Sequence, residues 1–213
     1  MPAKIYIADT DPATTPLAKQ LSDLVERGLK WVEARIKLPP LDIVVIRNPM
    51  FVIPETGVCG YAPTSNLVIL SVDPLNTNFS ANMDIEVPAT IVHELHHCSR
   101  WSGPGYGHTL LEALVSEGLA QHFEADFRQG AAPFYAEMLS DADVNRLLAQ
   151  ASEEFDNPGY SHSDWFFGSD SRNIPRHTGY SLGFKLVGRF LRERLGNAAY
   201  YNLEPADSFR PQL

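Results

Sequence analysis

The chain has 213 residues, 44% hydrophobic and 20% charged, which fits one globular domain or one domain with two lobes. Its formal net charge is −9 and no Lys/Arg cluster stands out, which argues against nucleic acid and against docking on anionic membranes. No apolar run approaches the about 18 residues that a membrane span needs, and Met1–Asp9 is too short and too polar for a signal peptide. The expected location is therefore cytoplasmic, with Cys59 and Cys98 as free thiols.

In chain order, Lys4 to Ala8 alternates apolar and polar residues and reads as a short strand. Thr15 as N-cap and Pro16 at the first helical position open a helix. Its stripe of Leu17, Leu21, Leu24, Val25, Val32 and Ile36 runs to about Lys37, and Pro39-Pro40 stops it. Leu41 to Arg47 is rich in β-branched residues and reads as a strand. Gly57 to Pro63 reads as extended, Thr64-Ser65-Asn66 as a turn and Leu67 to Val72 as another strand. Residues 73 to 83 read as loop, and a helix is expected from about Glu86 or Pro88 to Trp101.

Ser102 to Gly107 is a breaker, and a second helix follows from about Thr109 to Gln129. Helical pattern returns over Phe134–Leu139 and Asp141–Phe155, residues 157 to 177 read as a long loop, and Gly179 to Leu195 is a final helix stopped by Gly196. Strands first and helices later imply an α+β fold, a small mixed sheet packed over the helix near residue 93. The chain is read as one domain, 1–213, with a sheet lobe at about 1–101 and a helical lobe at about 102–213.

Residues 93 to 97 read His-Glu-Leu-His-His and contain H-E-x-x-H as His93, Glu94 and His97. Residues four apart share a helix face, so both imidazoles can address one ion, while Glu94 lies about 100° round the helix, beside the open position. Catalytic zinc usually takes three protein ligands plus water, so a third ligand is needed. Glu117 lies on the next expected helix and is followed by Gly118 and Ala120, small residues that let helices approach closely. Glu112 and Glu124 are its rivals, and Glu117 ranks ahead of both. A histidine six residues after His97 would mark another zincin type, but that position is Gly103.

At these residues the chain resembles the gluzincin metallopeptidases and, more narrowly, the YjaZ-like family of predicted zinc-dependent proteases. The resemblance is carried by Val92–His97, by Leu114-Val115-Ser116-Glu117-Gly118-Leu119-Ala120 and by Gly179-Tyr180-Ser181-Leu182-Gly183-Phe184-Lys185-Leu186-Val187. It implies a zincin-like fold, Zn2+ bound by His93, His97 and Glu117, and Glu94 as general base and then general acid in peptide hydrolysis. It departs from the pattern at Gln121, where many gluzincins carry an Asp that orients a histidine ligand.

A group that stabilises the oxyanion has no fixed spacing; Tyr180 and His177 are the candidates. His96 and Cys98 lie off the ligand direction and read as packing or neighbours of the site. His122, His108 and His162 carry no distinguishing signal, and Trp165-Phe166-Phe167 reads as core. The expected partner is a peptide or protein substrate lying along a sheet edge, with Gly57–Ala62 as the candidate edge. The competing readings are a zinc-stabilised binding or regulatory domain without turnover and a hydrolase of a non-peptide amide.

Overall fold

A computed structural model describes residues 3 to 211. The chain divides into two compact units at Ser102/Gly103.

In the first unit, β1 (Lys4–Ile7), β2 (Asp42–Arg47), β3 (Val58–Thr64) and β4 (Leu67–Val72) form a four-stranded sheet in the order β1-β2-β4-β3. The strands β1, β2 and β4 run parallel, and β3 pairs antiparallel with β4 as an edge strand. Parallel neighbours need a crossover, and α1 (Ala18–Glu33) supplies it between β1 and β2. One sheet face is read from alternating residues: Ile43 and Val45 of β2 pair with Val68 and Leu70 of β4, and all four are buried.

The helical stripe of α1 is Leu21, Leu24, Val25, Leu29 and Val32, all buried. Pro16 lies in a 3-10 turn, Thr15–Leu17, rather than in the helix, and the Thr15 hydroxyl donates to the Asp11 carbonyl instead of capping. The regular helix ends at Glu33, short of Lys37.

The helix α2 spans Phe79–Arg100 and carries His93, Glu94 and His97. It starts a full two turns before the expected Glu86 or Pro88, and Pro88 lies inside it. Phe79, Met83 and Val87 are buried along the added turns, so tertiary burial outweighs the proline. Pro88 has no N–H to bond the carbonyl four residues back, that of Asp84. The guanidinium of Arg27, on α1, donates to that carbonyl instead.

In the second unit, α3 (Leu110–Phe127) opens with a capping box: the Thr109 hydroxyl accepts from the Glu112 amide, and the Glu112 carboxylate accepts from the Thr109 amide. The helix is buried on nearly every side, so its sequence shows little amphipathic pattern. A 3-10 turn, Phe134–Ala136, leads to α4 (Asp141–Ser152).

The expected loop over 157–177 instead contains α5 (His162–Phe167), capped by Ser161, and a 3-10 turn at Asp170–Arg172. Arg172 holds this stretch: it pairs with Glu154 and with Asp164 at 3.3 Å, and its guanidinium lies 5.3 Å from the Trp165 ring. Polar residues here are therefore helix caps and ion-pair partners, which a loop-like composition conceals. The last helix, α6, spans Thr178–Arg192.

The helices α3 and α6 cross at a glycine pair. A Cβ on Gly118 would lie 2.2 Å from the Gly183 carbonyl oxygen, and one on Gly183 would lie 2.2 Å from the Leu114 carbonyl oxygen. The two glycines thus let backbone meet backbone one residue after Glu117. Among the described residues no helix is long and apolar enough to cross a membrane.

Gly183→Ala tests this crossing. Within a helix the change ordinarily stabilises by about 1 kcal/mol. Here it forces two backbones apart, and overpacking of that kind costs about 1–3 kcal/mol. Urea unfolding should show net destabilisation; a stabilised variant would contradict the close crossing.

Candidate metal centre

Three side chains named from spacing come together. His93, His97 and Glu117 each offer a ligand atom, and these atoms lie within 4.8 Å of one another. They form the one group of this kind among the described residues. Each is about 6% exposed. On α2 the His93 and His97 Nε2 atoms stand 3.2 Å apart, with the rings edge-on. Two nitrogens on a tetrahedral zinc, at about 2.0–2.1 Å each, are separated by about 3.3–3.4 Å. The pair is therefore set close to the spacing that one ion requires. Two imidazoles and a carboxylate are also a donor set that suits zinc.

Glu94, 7% exposed, lies against the backbone of β3. A Cβ on Gly60 would lie 2.4 Å from Glu94 Cγ and 2.6 Å from its Oε1. Only glycine leaves room for that carboxylate beside the edge strand.

The other residues weighed from sequence have separate employment. The Glu112 carboxylate is taken by the α3 cap, where it also accepts from the His108 amide at 2.8 Å. Glu124 accepts from Arg128 at 2.8 Å and from the Tyr135 hydroxyl at 2.9 Å. The His122 Nε2 lies 2.9 Å from the Phe184 carbonyl oxygen and the ring stacks on Phe184; burial lowers its pKa. His96 is fully buried with its ring 6.5 Å from that of His97. Trp165 and Phe166 are core, whereas Phe167 is exposed.

Gln121 is fully buried, and neither amide atom has a hydrogen-bond partner.

Tyr180 sits in an aromatic cluster within the second unit, its ring 5.1 Å from Tyr135, 5.0 Å from Phe166 and 5.9 Å from His177. His177 caps α6 with φ 68, a left-handed conformation uncommon outside glycine, and its amide donates to the Phe166 carbonyl.

Sequence reasoning missed Tyr106. It lies in the Ser102–Gly107 breaker, near enough to Glu117 to feel that carboxylate's charge. Burial, and then the Glu117 charge, hold its hydroxyl well above the ordinary phenol pKa, so it keeps its proton. His162 was also passed over. It stacks on Phe166 at 4.2 Å, and burial depresses its pKa while Glu117 opposes the shift. The one signal for Tyr106 was its place between two glycines.

A buried H-E-x-x-H helix with a convergent carboxylate, in an α+β fold, defines a candidate zinc centre of the protease type. The chain belongs to the family of predicted Zn-dependent proteases (DUF2268), whose match covers residues 19–209. No curated protein and no solved structure matches it.

Neither Cys59 nor Cys98 is in a disulfide. Burial, and then the Glu94 charge, push the Cys98 thiol up to about 12, and its Sγ faces the Thr64 and Leu67 carbonyls. Only the thiolate is nucleophilic. At pH 8 a thiol reagent should therefore modify Cys59 alone in the native protein, with Cys98 reacting after unfolding. Two rapid equivalents in the native state would contradict this placement.

Proposed function

We propose that the protein is a gluzincin-type peptidase in which His93, His97 and Glu117 hold zinc and Glu94 is the general base and then the general acid. The convergence of three buried ligand atoms within 4.8 Å carries this reading. Zinc bound there would supply Lewis acidity, which brings the pKa of a water towards neutrality and polarises a peptide carbonyl.

Glu94 takes the proton of the attacking water and later returns it to the leaving amine. Its place against Gly60 supports that role, because β3 is an edge strand with a backbone rim open to pairing. A peptide substrate adding to β3 as a further strand would bring its backbone beside the Glu94 carboxylate. Tyr180 is the proposed donor to the oxyanion, with His177 the second candidate; each belongs to the aromatic cluster of the second unit.

The reading without turnover draws on Gln121, which stands where many gluzincins carry the orienting Asp. Glu94→Gln separates the two. It keeps the side chain's shape and removes the base. Hydrolysis of unstructured peptides should fall by at least about 100-fold, the lower end of general-base contributions, with zinc content unchanged. Full activity in that variant would remove Glu94 from the mechanism.

A further inference from the structure

We infer that a peptide substrate is held on β3 by a single residue, Gly60, whose N–H and C=O form the open backbone pair on the outer rim of that strand. This anchor presupposes the peptide-substrate reading proposed above and narrows it from an edge to one residue.

Facing residues in an antiparallel ladder alternate: one pair exchanges N–H and C=O bonds, and the next turns those groups outward. The Asp73 amide donates to the Gly57 carbonyl at 3.0 Å, and the register continues as Val58↔Val72, Cys59↔Ser71, Gly60↔Leu70 and Tyr61↔Ile69. Cys59 and Tyr61 therefore bond towards β4, while Val58 and Gly60 turn their backbone groups to the outer rim. Val58 shows this phase directly. Its carbonyl accepts from the Ile53 amide at 3.2 Å, and its amide donates to the Thr56 hydroxyl at 3.3 Å.

The chain's own groups close the rim on both sides of Gly60. On one side, Ile53 and Thr56 already occupy Val58. On the other, the register shifts between Tyr61 and Thr64, which bends the strand, and Pro63 has no N–H to offer. The Ala62 carbonyl accepts from the Trp101 indole at 3.4 Å. At Gly60, the weakly donating Cys59 thiol, 3.5 Å from the carbonyl, is the one partner outside the sheet among the described residues.

A donor and an acceptor on one strand residue, with no side chain beside them, match the backbone of an extended peptide. Glu94 lies at the same residue, its Oε1 2.6 Å from where a Gly60 Cβ would stand. A peptide bonded at Gly60 thus passes beside the proposed base, and its residues before and after are not required to pair with β3. The substrate class that fits is an unfolded segment with one extended residue at this point, not a long preformed strand.

Amide hydrogen exchange, read residue by residue by NMR, tests this on the zinc-loaded Glu94→Gln chain with oxidised insulin B chain as the probe peptide. In the free chain Gly60 should exchange faster than Cys59 and Tyr61, whose amides bond to β4. At about ten times its Kd the peptide should slow Gly60 about tenfold, the limit set by the unbound fraction, while Val58 and Ala62 keep their rates within about twofold. A bound peptide that leaves Gly60 unprotected overturns the anchor. Protection gained at Val58 or Ala62 as well overturns the single-residue limit. Protection at Gly60, with no cleavage of the peptide by the native zinc-loaded chain, supports the anchor and overturns the peptidase reading instead. No binding on titration overturns both.

Discussion

Burying polar groups is costly, and α2 and α3 bury three imidazoles (His93, His96, His97) and three carboxylates (Glu94, Glu117, Glu124) among Leu, Val and Ala. That cost is the constraint from which the rest of the structure can be understood. The two Nε2 atoms of His93 and His97 meet at 3.2 Å on one face of α2, and Glu117 brings an oxygen to the same place. An ion bound there, as proposed above, would be shared by three ligands and would offset part of that cost for each. Glu94 occupies the space that Gly60 leaves in β3.

Each unit contains a device that sets its part of this arrangement. In the first, the Arg27 guanidinium satisfies the carbonyl that Pro88 leaves open, and α2 continues through the proline to reach Arg100. In the second, the Gly118/Gly183 crossing locks α3 against α6 one residue from Glu117. The segment Gly179–Val187, which carries part of the family resemblance, includes Gly183 of this crossing.

Features set by local periodicity were legible in the sequence. The i, i+4 spacing of His93 and His97 needs only a helix, and β2 and β4 announce themselves through β-branched residues. Glu117 was reachable because a turn of glycines and Pro104 separates its helix from the first. What was not legible depends on tertiary contacts. Nothing local says that Pro88 sits in mid-helix, since the partner that makes it tolerable is Arg27, 61 positions earlier. Tyr106 has no periodic neighbours to mark it; only the fold brings it within reach of the Glu117 charge. The polar run after residue 157 resembles a loop because its serines and aspartates serve as caps and as partners of Arg172. Gln121 departs from the orienting Asp of many gluzincins, and among the described residues its buried amide has no hydrogen-bond partner.

The central claim is one zinc held by His93, His97 and Glu117, and zinc K-edge X-ray absorption of the zinc-loaded protein tests it most directly. The account predicts two imidazole nitrogens and oxygen donors, all at about 2.0–2.2 Å, with no sulfur near 2.3 Å. A sulfur shell would place Cys98 or Cys59 on the metal and contradict the account, as would a spectrum showing a single imidazole.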